Sequence, residues 1–407
     1  MNSFFTKLLI FTLILLFITA FSSSYSSLSI DNLAYVLAIG IDTSKDNKLE
    51  VTFQFSQPSS TSDDGSTPKS SSVINSVSTS SISNAINLIN SYLGKQINMS
   101  HCKVIVFSEE FASNGISDEI YTLINDPQVR PNTNIIISKC PAKYYIKETQ
   151  PQLEDLLSRY YEIFARSSNY TGYMPHSTLG DFYNALISKT SNPYAILGGI
   201  NLENSHNSEN INSQKDYKVK AGLSSIEGQN GIENIGIAVF KNDRIVGELT
   251  ALESISLLTL RNQLNQFMIS VPNYKNNNTY LDIYLTQLSP SKIEIDTSSE
   301  IPYIEISCEF SGRIYSMSEN SKYLSEENLK SISNSCNSYI KNMILEFLYK
   351  TSKEFQSDIT DFGRFSLKNF LSIEDFQKYN WEKNYKNAFF NVNVNTSIKS
   401  SMLITES

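Results

Sequence analysis

The chain has 407 residues, 40% hydrophobic and 18% charged, too apolar for a disordered chain and too polar for a polytopic membrane protein. Its 33 basic and 41 acidic residues give a net charge of −8 without a dense Lys/Arg stripe, so no nucleic-acid partner is expected. At about 150 residues per domain, the length predicts two to three domains.

Lys7 precedes an apolar run, Leu8 to Phe21, interrupted only by Thr12 and Thr19. As a helix that run spans about 21 Å, less than the roughly 30 Å hydrocarbon core. A basic start, an apolar centre and small residues after it read as an export signal over residues 1–22, with Ala20-Phe21-Ser22 as the cleavage site. Phe4 and Phe5 lengthen the run around Lys7, which can snorkel to the headgroups, so an uncleaved anchor stays open. Everything beyond about residue 25 is expected to fold outside the membrane.

Leu33–Ile41 is an apolar run that fits a buried strand. Lys48–Ser56 alternates with period two, and the turn-rich Asp42–Asn47 between them predicts a hairpin. Residues 56–72 are a polar low-complexity loop. Ser80 to Gly94 reads as a helix with Ile82, Ala85, Ile86, Ile89 and Leu93 on one stripe. Strand Lys103–Ser108, helix Glu109–Asn125 and strand Asn134–Lys139 follow, which suggests a mixed sheet covered by helices. Helices are expected over Gln152–Arg166 and Leu179–Ser188, then a strand over Tyr194–Ile200.

Residues 201–234 are rich in Asn, Ser and Gly and read as a linker between an N-terminal domain, 28–200, and a C-terminal domain, 235–407. The N-terminal domain allows a subdivision near 140–150. The second half restarts with strands Ile235–Phe240 and Arg244–Leu249 around a Lys241–Asp243 turn. Helix Leu252–Leu264 and the alternating runs Thr279–Leu288, Lys292–Asp296 and Tyr303–Phe310 come next. Apolar residues at helical spacing predict a long helix over Glu326–Gln356, and Asn387–Met402 a closing strand. The fold class is α+β: two or three mixed sheet/helix domains, the last an antiparallel sheet covered by a long helix.

Catalytic patterns are missing: there is no GxxxxGK[ST], GxSxG, HExxH or CxxC. His101, His176 and His206 lack partners at ligand spacing, so no metal or cofactor is expected. Glu109-Glu110 directly follows a strand, where acidic residues complement the dipole of the next helix. Glu233, Glu248 and Glu253 likewise read as structural. Cys102, Cys140, Cys308 and Cys336 allow three pairings, with four buried thiols the preferred reading.

Several segments in order resemble the Ger(x)C family, the C subunits of spore nutrient germinant receptors. They are Leu33–Asp42, Leu49–Gln54, Tyr92–Lys95 with Ser100–Glu110, Asn125-Asp-Pro-Gln-Val-Arg-Pro131, Ala238–Leu249 with Glu253, Asp358–Gly363, and Trp381. Together they cover roughly residues 30–400. Asp126, Pro127, Arg130 and Pro131 form the Asp-Pro-x-x-Arg-Pro element. There the prolines end the preceding helix and Arg130 offers a bonding fork. Gly247 before Glu248 permits a close backbone approach.

The resemblance implies a non-enzymatic exterior subunit at the spore inner membrane. Its partners would be the integral-membrane A and B type subunits and the membrane surface. Family members carry a lipid-modified Cys near the start. Ser24 stands at that position here, and the first Cys is Cys102, so lipidation is not expected. The alternatives are an exported nutrient-binding module with a ligand cleft between domains, and an exported hydrolase.

Overall fold

The computed structural model describes residues 2–22, 30–46, 48–57, 72–201, 219–224, 226, 228, 230–273, 276–317 and 325–399. The polar loop expected over 56–72 and the position of Ser24 fall almost wholly outside these.

Nine strands build the first sheet: β1 (Leu33–Thr43), β2 (Leu49–Ser56), β3 (Ser72–Thr79), β4 (Gln96–Asn98), β5 (Val104–Ser108), β6 (Asn134–Ser138), β7 (Tyr194–Ile200), β8 (Ile232–Lys241) and β9 (Arg244–Leu249). The order is β3-β2-β1-β5-β6-β7-β8-β9, with β4 alongside the start of β1. The central strands β1, β5, β6 and β7 are parallel; the pairs at both flanks are antiparallel. Parallel strands are covered on both faces, which is why Val104-Ile-Val-Phe107 and Ile135-Ile-Ile137 are apolar without alternation. Ile39, Ile105, Phe107 and Ile137 pack in one layer with helices Ile82–Leu93, Ser117–Asn125 and Leu179–Ile187. Ala38, Val104, Val106 and Ile136 pack in the other with helices Ala142–Glu148 and Leu157–Ile163.

The second sheet holds β10 (Gln266–Asn273), β11 (Asn276–Gln287), β12 (Lys292–Asp296), β13 (Tyr303–Met317) and β14 (Phe389–Lys399). β11 and β12 pair with successive parts of β13, and β14 pairs with β13 from Tyr303 to Arg313. The long helix Glu326–Tyr349 lies across this sheet, burying Ile332, Cys336, Ile340, Ile344 and Phe347. All pairs are antiparallel except β13–β14, which is parallel. The antiparallel sheet expected under the long helix is thus present, with one parallel pair at β14. A hairpin reverses direction, but a crossover through a long helix carries the chain back to the end from which it started.

Local chemistry sets the element ends. Ser81 caps helix Ile82–Leu93 by accepting from the Asn84 N–H, and Gly94, at φ 64°, ends it. Thr250 and Glu253 form a reciprocal capping box on helix Ala251–Leu260.

Four expectations change. The helix expected over Glu109–Asn125 is two helices, Glu109–Asn114 and Ser117–Asn125. Gly115, at φ 107°, breaks it where the β8–β9 turn approaches and Ile116 N–H donates to the Asp243 carbonyl. The helix expected from Gln152 starts only at Leu157, leaving Leu153 97% exposed. Strands β3 and β10 and helix Ala142–Glu148 are additional.

The fourth concerns the division near residue 235. β8 and β9 pair with β7 and complete the first sheet, so sheet membership runs past that boundary. Within the expected linker, Ala221 is fully buried and its N–H donates to the Ile235 carbonyl.

Candidate functional site

The most elaborate polar arrangement lies at the seam between the sheets. The buried Asp358 carboxylate accepts five hydrogen bonds. Oδ1 takes Thr360 N–H (3.1 Å), Thr360 Oγ1 (2.7 Å) and Phe362 N–H (3.2 Å). Oδ2 takes Gly363 N–H (2.9 Å) and the Trp381 indole Nε1–H (2.9 Å). Burial pushes this carboxyl up, and its donors pull the other way. The same segment grips the first sheet: Asn192 N–H donates to the Asp358 carbonyl, Thr190 Oγ1 to Asp361, and Ser357 Oγ to the Phe240 carbonyl. Gly363 sits against the Thr190 backbone, with no space for a Cβ. Asp358–Gly363 and Trp381, 18 residues apart at the nearest, thus form one joint.

Two cavities flank it. One of about 290 Å³ is lined by Thr190, Asn192, Gln356, Asp358 and Trp381. The other, about 310 Å³, is lined by Asp181, Tyr194, Arg261, Asp361 and Arg364. These ionisable side chains already have protein partners. Arg261 Nη1 donates to the Ile359 carbonyl (2.8 Å) and its guanidinium lies over the Tyr194 ring. Asp181 accepts from Thr178 Oγ1 (2.7 Å). A larger, more apolar cleft of about 600 Å³ is lined by Tyr160, Phe164, Tyr170, Met174 and Ile232.

A second cluster sits at the carboxyl ends of the parallel strands. Asp42, closing β1, accepts the Ala142 and Lys143 N–H groups (2.7 and 3.0 Å) and so caps helix Ala142–Glu148. Its carboxyl is raised by burial. Glu248 bridges Lys139 (3.3 Å) and Lys220 (3.2 Å), joining β9, the end of β6 and the segment before β8. Beside it, Glu109 is raised by burial and by Glu248, against Lys139 and Lys220. A carboxyl whose folded pKa lies above its unfolded value contributes stability at low pH and loses it as pH rises through the folded pKa. Replacing Glu109 by Gln removes that loss. The stability of Glu109→Gln relative to the parent should therefore be more favourable at pH 7 than at pH 4, as read by urea denaturation at both.

In the Asp-Pro-x-x-Arg-Pro turn, Asp126 ends helix Ser117–Asn125 and its Oδ1 accepts the Gln128 N–H (2.8 Å). Gln128 Oε1 accepts from Met99 N–H, Val129 is buried, and the Pro131 carbonyl accepts from Gly180 N–H. Arg130 is exposed, and its guanidinium makes no hydrogen bond or ion pair among the described residues. The turn is held by Asp126, Gln128 and backbone, without an Arg130 fork. Gly247 lies against the Phe355 ring, where a Cβ would overlap it.

All four cysteines are free; Cys102, Cys308 and Cys336 are buried and Cys140 is partly so. Burial raises the Cys102 thiol to about 12, which keeps it protonated and unreactive. Among the described residues there is no His/Cys/Asp/Glu group able to hold a metal. Of the expected site residues, Glu248 is brought into a charged cluster and Gly247 into a tight contact, while Asp126–Pro131 stand apart from both.

Residues 26–198 match the spore germination protein N-terminal domain family, and residues 235–402 the spore germination B3/GerAC-like C-terminal family. A putative spore germination protein of Bacillus subtilis (strain 168), YfkR, is 23% identical over 368 residues, covering 88% of this chain and 87% of its own. The crystal structure of the GerBC protein has the same fold, with a TM-score of 0.52 at 14% identity, over 88% of this chain and 96% of that one.

Proposed function

Because this chain belongs to the Ger(x)C family of spore germination proteins, we propose that it is the non-catalytic exterior subunit of a germinant receptor, needed for nutrient-triggered germination. The single observation that carries this reading is the two family domains in order along one chain. The chemistry agrees with it. The buried carboxylates Asp42 and Asp358 are saturated with donors from their own fold, and Glu248 is neutralised by two lysines. The hydroxyls they meet, Thr360 at Asp358 and Ser108 at Asp42, sit among these same fold-holding hydrogen bonds, which supports an architectural role for the polar groups.

Its partners in this reading are integral-membrane A and B type subunits, and it works on the exterior face of the spore inner membrane. The attachment device is the amino-terminal helix Asn2–Ser22, since Ser24 offers no thiol for a lipid. Around this helix Phe4, Phe5, Leu8, Leu9, Phe11 and Leu16 are all exposed; a helix apolar on every side belongs in lipid or in a core. Among the fully described residues no helix is long and apolar enough to cross a membrane, and the side chains of 18–22 lie outside them.

Deleting the reading frame from the spore-forming host should abolish or strongly slow germination to at least one nutrient. Unchanged germination to every nutrient tried would overturn the proposal. The seam cavities favour a second reading, a nutrient-binding module with its cleft between the domains. Under that reading the exported chain alone is stabilised by a nutrient in thermal unfolding, which a docking subunit is not.

A further inference from the structure

We propose that the protein rests on the bilayer with the amino-terminal ends of its parallel strands against anionic lipid headgroups, through Tyr92, Lys95, His101 and Arg130. This rests on the membrane-attached reading above and adds the orientation of the body.

The geometry follows from the chain path. The apolar helix ends at Ser22, and the described chain resumes at Ile30. The connecting residues reach at most about 28 Å even when fully extended. Ile30–Asn32 leads straight into Leu33, the first residue of β1, so that end of the sheet is held near the lipid.

The same end gathers the four side chains. β4 is parallel to β1, with Gln96 beside Leu33, so Lys95 and Tyr92 lie at the start of β1. The His101 ring lies 4.7 Å from that of Tyr35 in β1. The Arg130 turn is tied to this end through Gln128 to Met99 and through the Arg130 carbonyl to Thr133 N–H, just before β6.

Lys95 and Arg130 are exposed on this face, and neither makes an ion pair among the described residues; exposed Asp31 lies at the same end, beside the start of β1. The Asp126 carboxylate beside Arg130 is engaged with the Gln128 N–H. Tyr92 is 75% exposed. Lysine, arginine and tyrosine with free heads on apolar stems suit the headgroup layer, where each cation gains from anionic lipid.

The test uses the full chain and vesicles of phosphatidylcholine with and without phosphatidylglycerol, carrying lipids brominated near the headgroup. Trp381 is buried and supplies a constant background. Tyr92→Trp places a reporter on the proposed face. Tyr144→Trp places one in helix Ala142–Glu148, at the opposite, carboxyl end of the strands, where Tyr144 is also exposed. Flotation with vesicles reads attachment, and bromine quenching reads orientation.

Attachment with quenching of Tyr92→Trp, and none of Tyr144→Trp beyond the unsubstituted chain, is the expected result. Lys95→Gln with Arg130→Gln should weaken the preference for anionic over neutral vesicles, by roughly fivefold for each cation, with attachment retained. A chain that floats but shows no quenching at Tyr92→Trp, or equal quenching at both positions, overturns the orientation and leaves the attachment standing. A chain that does not float overturns both. Unchanged lipid preference in the double variant removes the headgroup contacts. Circular dichroism of each variant verifies the fold, and these exposed positions make few contacts to lose.

Discussion

Replacing Asp358 by Ala is expected to cost about 3–5 kcal/mol of stability, the scale for leaving several buried partners unpaired. Five donors would lose their acceptor, among them the Trp381 indole and the Gly363 N–H, with only water from the flanking cavity to stand in for it. The loss should appear first in the relation between the sheets, because the same segment bonds Asn192, Thr190 and Phe240. Urea denaturation followed by Trp381 fluorescence would read the stability, and limited proteolysis would read loosening of the seam. Asp358→Asn should cost less: its amide oxygen still accepts, while its NH₂ opposes the donors on the other side. If Asp358→Ala unfolds at the urea concentration of the parent, the seam does not depend on this carboxylate.

A second large effect is expected at Gly247. In β9 its Cα faces the Phe355 ring so closely that any Cβ overlaps it, and Lys350 lies over the same ring at 5.6 Å. Gly247→Ala should destabilise by about 1–3 kcal/mol, the usual scale of overpacking. The diagnostic is the double variant. Phe355→Ala loses packing of its own but opens the space, so adding Gly247→Ala to it should cost little more. A double-mutant cycle by urea denaturation would then give a coupling well above the additive limit. Strict additivity would place the conflict elsewhere.

The parts of the fold legible in the sequence are those whose pattern is local. Ser81 and Gly94 mark both ends of one helix, and the apolar β1 and alternating β2 announce their hairpin. β3 was hidden because serines and an asparagine separate its few apolar residues, and its stability comes from pairing with β2 rather than from a buried stripe. β10 does alternate, with Phe267, Ile269 and Val271 inward, so a period-two scan of the segment after Leu264 would have found it. Sheet membership was harder. The β8–β9 hairpin reads clearly, but nothing local says that its partner is β7 across the Asn-rich segment. At the seam, Asp358–Gly363 and Trp381 stand out as separate motifs, and only the fold shows one carboxylate joining them. The Arg130 fork failed for the opposite reason: an arginine between prolines looks structural, yet Asp126 and Gln128 already satisfy the turn.

The late return of β14 has a consequence for biogenesis. The edge of β13 that it covers, from Tyr303 to Arg313, has no strand along it until Phe389–Lys399 has emerged. During synthesis, that stretch is an open template for pairing with any other extended chain. Until β14 pairs, a nascent chain of this design gains from factors that hold it apart from others. Premature stops anywhere in β14 should therefore produce aggregates rather than a shorter working body.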